Sequence, residues 1–262
     1  MQKEQKRKII YYSDELNDDF AGTNIKQQKL PDDFKYINNN IFYKIGAFLI
    51  TWIITPIIFL VNKIMYHQKF INKRALKRAK RSGYFVYINH TNACLDAFTP
   101  QLLSCPKKAY IICNPDATSI KGIRTLVLML GAIPLPTSTA LTFGYIDCIK
   151  GRINQKSVIA IYPEAHIWPY YTDIRPFKAD SFIYPVDTNK PVFCFTNVYK
   201  KRKIGKRPKV VTYIDGPFYS DPSISKKENI TNLRNKVYEA MKKRVDSNPI
   251  YKYKYIYIKK ED

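Results

Sequence analysis

His90 and Asp96 stand in the segment INHTNACLDAF, which continues from a short apolar run over 84–89. A histidine leaving the end of a strand, with a carboxylate arriving at the start of the next helix, makes an oriented general base. The carboxylate fixes the imidazole tautomer and stabilises the imidazolium formed when a proton is taken. Six positions apart on one continuous helix would turn the two side chains roughly 240° from each other, at about 100° per residue, so a loop must carry part of the spacing. The ordinary alternative for this segment alone is a buried histidine bonded within a turn and an aspartate that opens a helix. A second polar cluster, Tyr162-Pro163-Glu164-Ala165-His166, follows another apolar run over 157–161. Glu164 and Asp96 as a hydrolytic carboxylate pair have no supporting motif. Cys94 admits a thiol nucleophile, although free cysteine is commonly a small buried apolar residue.

Short apolar runs at 84–89, 109–113, 132–135, 157–162, 192–198 and 209–214 alternate with helical patterns at 95–103, 120–130, 141–153 and 225–245. Such alternation predicts an α/β fold with a mainly parallel central sheet covered by helices, whose sites lie at the carboxyl ends of the strands. The chain has 262 residues, of which 45 % are hydrophobic and 14 % aromatic, enough apolar material to exclude wholesale disorder. The absence of a triplet or longer repeat excludes collagen-like and solenoid architectures. The expected organisation is a polar N-terminal arm over 1–40, a membrane-associated helical segment over 41–82, and one compact domain over 83–262 that carries the site.

No charged residue occurs over 45–62, a run of 18 bounded by Lys44 and Lys63. That is the lower edge of a bilayer span, and Pro56 in its middle predicts a membrane-embedded hairpin or a marginal span. The continuation over 63–81 carries seven Lys and Arg from Lys69 to Arg81 among Phe70, Ile71, Leu76 and Ala79, the pattern of a basic amphipathic helix held by anionic headgroups. A core helix followed by a solvated one is the plainer alternative. The net charge of +23 attracts polyanions, either nucleic acid or an anionic membrane surface. The basic stretch over 200–209 has no interleaved aromatics, so a solvated hairpin tip or headgroup contact is expected rather than nucleic acid. The tail over 251–258 alternates like an edge strand. Five cysteines without paired spacing point to reduced thiols facing the cytosol, and three histidines without ligand spacing predict no metal. The start lacks an apolar signal core, so cleavable secretion is not expected.

Together the polar clusters resemble those of the glycerolipid acyltransferase family, the lysophospholipid or 1-acylglycerol-3-phosphate acyltransferases. The resemblance runs over about 84–195. Asn89, His90 and Asp96 resemble the N-H-x4-D block, the loop over 131–137 (GAIPLPT) the second block, Tyr162-Pro163-Glu164 the F-P-E-G-T-R block, and Pro191-Val192-Phe193 the closing P-[IV] strand. Phe177-Lys178 resembles the F-K pair between the last two. Three departures stand out. Five residues instead of four separate the histidine from the aspartate, Thr137 takes the place of an arginine, and Ala165, His166 and Ile167 replace Gly-Thr-Arg. The replaced basic residues are associated in the family with the acceptor's phosphate, which Arg124, Arg175 or Lys178 could serve from new positions.

The resemblance implies an acyltransferase that moves a fatty acyl group from a coenzyme A or acyl-carrier-protein thioester to a hydroxyl of a lysophospholipid or related acceptor, with no bound cofactor. His90 would take the hydroxyl proton, Asp96 would orient His90, and backbone N–H groups near the third block or the following helix start would hold the oxyanion. Asn89, Thr137, Tyr162, Pro163, Glu164, His166, Arg175 and Lys178 are the expected substrate-binding residues. The expected place is the cytoplasmic face of a membrane, with anionic lipids and the acyl thioester donor, on coenzyme A or on an acyl carrier protein, as partners. Two other readings stay open: a non-catalytic membrane or nucleic-acid binding protein that uses its basic surface, and an inactive family member that serves as a lipid-binding scaffold.

Overall fold

The computed structural model describes residues 7–22, 28–119, 122–205 and 207–260. Residues 1–6 and 23–27 of the arm, and the first two residues of the helix expected over 120–130, lie outside them. In chain order the elements are β1 (Lys8–Tyr12), α1 (Ile41–Tyr66), β2 (Lys69–Ile71), β3 (Tyr84–Ile88), α2 (Ala93–Ser104), β4 (Ala109–Cys113), α3 (Arg124–Leu130), β5 (Ala132–Pro134), α4 (Thr142–Asn154), β6 (Val158–Ile161), α5 (Ile183–Thr188), β7 (Val192–Lys200), β8 (Lys209–Phe218), α6 (Lys226–Asp246) and β9 (Tyr255–Lys259).

Seven strands form the main sheet in the order β2-β8-β7-β3-β6-β4-β5. The five from β7 to β5 are parallel, and β8 with its neighbour β2 runs the opposite way. Every residue of β3 and of β6 is buried, which is why both read as unbroken apolar runs: a central parallel strand is covered on both faces. Phe85 and Tyr87 face a core built with Ile149 and Ile153 of α4 and Val237 and Met241 of α6. Tyr84, Val86 and Ile88 face the other layer, with Leu103 of α2. Gly83, just before β3, has no room for a side chain: a Cβ there would overlap the carbonyl oxygen of Ile153. The start of α6 carries a full capping box between Ser225 and Glu228.

Pro56 does not break α1, which runs unbroken for 26 residues, about 39 Å at 1.5 Å per residue. The hairpin expectation is therefore corrected. Asn40 caps its start by accepting from the N–H groups of Phe42 and Tyr43, and His67 ends it in the left-handed region. Its polarity is inverted for a helix packed on a protein. The buried positions are Thr51, Asn62 and Tyr66, whereas Phe42, Phe48, Leu49, Trp52, Ile53 and Leu60 are exposed. The helix is long and apolar enough to cross a membrane, yet it packs on α2 and α3.

The stretch expected as one basic amphipathic helix over 63–81 is instead the end of α1, the strand β2, and a 3-10 turn over Lys73–Ala79. Its apolar side chains Ala75, Leu76 and Ala79 enter the core beside Phe193 and Ile214, so the sheet takes the face that had been assigned to lipid. Lys73, Arg74, Lys77 and Arg78 remain outside. Within the arm, β1 pairs in parallel with β9 in a separate two-stranded sheet, from Lys8 opposite Tyr255 to Tyr12 opposite Lys259. This pairing gives the tyrosine-rich tail its strand.

Lys108, just before β4, donates from Nζ to Thr51 Oγ1 of α1 and to the carbonyl oxygen of Met129 of α3. Burial, helped by the nearby charge of Arg152, lowers its pKa from 10.5 to about 8. The unfolded chain keeps that proton to higher pH, so between about 8 and 10.5 it binds more protons than the folded chain and stability rises with pH. Unfolding of the wild type and of Lys108→Met should show the wild type gaining on the variant from pH 7 to pH 10. A constant gap would contradict the buried cation.

Candidate active site

His90 leaves the end of β3 on a four-residue loop, and Asp96 sits in the first turn of α2, so the loop takes up the spacing that one helix could not. Asn92 caps α2 by accepting from the Leu95 N–H at 3.2 Å, which fixes where the turn begins. His90 Nδ1 lies 2.9 Å from Asp96 Oδ2. The same oxygen accepts the N–H groups of Thr91 and Asn92, each at 2.9 Å. Asp96 is 1 % exposed, while the ring of His90 keeps 17 %, leaving Nε2 as the ring nitrogen that Asp96 does not hold. Tyr162 covers the ring in a near-parallel stack, centroids 4.3 Å apart, and its hydroxyl donates to the backbone oxygen of Asp96. Burial holds that phenol well above its usual pKa, so it stays a donor.

The second oxygen of Asp96 leads into a buried polar chain whose members are scattered along the sequence. Asn197, in the middle of β7, donates from Nδ2 to Asp96 Oδ1 at 3.3 Å and accepts on Oδ1 from Thr212 of β8 at 2.7 Å. Its backbone N–H and carbonyl exchange hydrogen bonds with the Asn89 amide, at 2.8 and 3.1 Å. Gln68 donates to Thr212 at 3.4 Å and to Thr99 of α2 at 3.1 Å, and accepts from Asn62 of α1 at 3.2 Å. Asn89 therefore braces the dyad from within rather than facing a substrate.

Glu164 and Arg175 form the floor beneath this loop. Glu164 Oε2 accepts the backbone N–H of His90 at 2.9 Å, and Oε1 accepts that of Arg175 at 3.0 Å. Arg175 Nη2 lies 3.5 Å from Glu164 Oε2, and the guanidinium sits 4.8 Å over the ring of Trp168 while donating to the carbonyls of Glu15 and His166. Burial raises the Glu164 pKa, and the charge of Arg175 pulls against it. Arg175 is lowered by burial in turn, with Glu164 opposing. Neither group is open to a ligand, at 3 % and 1 % exposure. Their expected substrate-binding role is corrected to that of an internal staple joining the two polar clusters.

No protein-family model matches this sequence, and neither does any curated protein. Among solved structures, the crystal structure of the 1-acyl-sn-glycerophosphate (LPA) acyltransferase PlsC from Thermotoga maritima aligns over 70 % of this chain and 74 % of that one, with a TM-score of 0.51 and 19 % identity. The fold is shared. At this identity the likeness is one of architecture: a mostly parallel α/β sheet flanked by helices, as the strand and helix alternation predicts.

The remaining predicted residues fall in different places. Pro163 is half-buried between Tyr162 and Glu164. His166 is partly exposed, with Nδ1 3.8 Å from Asp19 of the arm, and the arm also accepts the Trp168 indole N–H on the carbonyl of Asp18 at 2.7 Å. Thr137 is removed from the dyad cluster: its hydroxyl accepts the backbone N–H of Leu30 at 3.0 Å. Lys178 is exposed, and Arg124 lies 5.5 Å from the ring of Phe34. Cys94 is exposed at the start of α2, whereas the His90 Nδ1 contact goes to Asp96. Among the described residues, no group of three His, Cys, Asp or Glu could hold a metal ion.

Proposed function

We propose that this chain is a membrane-associated acyltransferase that transfers a fatty acyl group from a coenzyme A or acyl-carrier-protein thioester to the hydroxyl of a lysophospholipid or related lipid. The observation that carries the reading is the 2.9 Å contact between His90 Nδ1 and the buried Asp96, which leaves Nε2 to meet an acceptor hydroxyl. As the hydroxyl oxygen attacks the thioester carbon, His90 takes its proton and Asp96 steadies the imidazolium. Collapse of the tetrahedral intermediate then expels the thiolate, which leaves as the thiol on regaining that proton. The exposed first residues of α2, Ala93 and Cys94, have N–H groups without intrahelical acceptors and are suited to the oxyanion.

The inverted polarity of α1 supports attachment along one leaflet: its polar positions face the protein and its apolar ones face outward. Exposed cations over 73–81 and at the β7–β8 tip, where Ile204 is 88 % exposed, suit anionic headgroups on a cytoplasmic surface and the acidic surface of a carrier protein. Nucleic acid has no place in this reading.

The test uses the full chain with anionic vesicles, labelled acyl thioesters of both carriers, and a panel of lysolipid acceptors. The expected result is flotation with the vesicles and label in a diacyl product. Transfer to no acceptor, with the thioester still bound, would replace this reading with a lipid-binding scaffold.

A further inference from the structure

A cavity of about 320 Å³ opens among α1, α3, α4 and the segment preceding α1. Lys108 at its wall precedes Ala109, which is level with Val158 and hence with Tyr84 at the amino end of β3. His90 lies seven residues further along that strand direction than the level of Lys108, roughly 20 Å at about 3.3 Å per residue. The cationic wall at Lys108 is therefore toward the opposite end of the sheet from the dyad; the lining runs along β5 to Pro134, level with Ile88, but includes neither His90 nor Asp96.

Its chemistry is one-sided. Lys35, Lys44, Lys108 and Arg152 line it, and no Asp or Glu does so among the described residues. The Lys108 ammonium has three N–H donors and two neutral acceptors, Thr51 Oγ1 and the Met129 carbonyl. Arg152 lies 4.6 Å over the ring of Tyr110, and its Nε is buried without an acceptor, as is the hydroxyl of Tyr36. Buried donors left without acceptors are costly, and an anion with several oxygens satisfies them together. Beside these cations stand Phe48 and Trp52 on the apolar outer face of α1, 61 % and 46 % exposed. The cavity thus joins a cationic, donor-rich end to an apolar surface.

We propose that this cavity binds the phosphate head of an anionic amphiphile through Lys108 and Arg152, with the acyl chain laid along α1 at Phe48 and Trp52, at a site separate from the His90 dyad. A phosphate offers three acceptor oxygens, enough for the lysine, the guanidinium and the Tyr36 hydroxyl. The inference rests on the lipid-facing reading of α1 and is independent of the acyl-transfer reading.

Binding of dodecyl phosphate, inorganic phosphate and dodecyl maltoside to the full chain is measured by titration calorimetry, for the wild type and for Lys108→Gln, Arg152→Gln and His90→Ala. Dodecyl phosphate should bind the wild type and His90→Ala equally, and each cation variant about tenfold or more weakly, as for loss of a charge-assisted hydrogen bond. Inorganic phosphate binding as tightly would make this a free-anion site and overturn the amphiphile. Dodecyl maltoside binding as tightly, unmoved by the cation variants, would reduce the site to an apolar groove. Loss of binding in His90→Ala would move the ligand to the dyad. Should the cation variants misfold, dodecyl phosphate brominated on its chain serves with the intact chain. It should quench wild-type fluorescence and spare Trp52→Phe, since the other tryptophan, Trp168, is fully buried near the dyad. Equal quenching in Trp52→Phe would overturn the placement. Failure of acyl transfer in the assay above leaves this binding intact, so the two readings fail separately.

Discussion

His90→Ala should lower the rate of acyl transfer about 10²–10⁴-fold, the usual contribution of a positioned general base, with a smaller effect on the KM for acceptor. Asp96→Asn should fall in the same range. Asn keeps an oxygen for the Thr91 and Asn92 N–H groups but loses the negative charge that steadies the imidazolium. Both variants are read by initial rates with labelled thioester, alongside thermal melts to show that the fold persists. Turnover at the wild-type rate in either folded variant would remove the dyad from the mechanism. Cys94→Ala in the same series should keep full activity, because the His90 Nδ1 contact is already with Asp96.

The second large effect is on stability. Glu164→Ala leaves the Arg175 guanidinium in the interior without its carboxylate, and Arg175→Met leaves Glu164 in the converse state. Breaking a buried pair in this way typically costs about 3–5 kcal/mol. Urea unfolding should show losses of that order for each single variant. Glu164→Leu combined with Arg175→Met should lose less than the sum, since no charge is stranded. Recovery should remain incomplete because the backbone N–H groups of His90 and Arg175 also depend on Glu164. Single variants within about 1 kcal/mol of the wild type would show that the pair is not the staple described.

The central strands were legible because burial on both faces writes itself into sequence as unbroken apolar runs; 84–89 and 157–162 contain β3 and β6. The His90 and Asp96 geometry was legible for a related reason, since strand end and helix start lie only a few residues apart. What escaped was nonlocal. Pairing of β1 with β9 joins residues nearly a chain length apart, and no local pattern names the partner. A three-residue strand such as β2 is held by its neighbour β8, against a sequence of charges that reads as an amphipathic helix. Arg175 looked like a phosphate ligand because a free cation and one stapled inside the fold have the same local sequence. Asn197 did leave a signal: an asparagine within the apolar run VFCFTNVYK must be partnered if that strand is central, and its partner proved to be Asp96.

The relay from Asn62 through Gln68, Thr212 and Asn197 to Asp96 fastens the end of α1 to the carboxylate behind His90. On the proposed reading, the float and the proton acceptor are parts of one stiff body, so the altitude of the imidazole above the lipid plane is built in. An acceptor already confined to that plane would need only to drift sideways, with no further search in the third dimension.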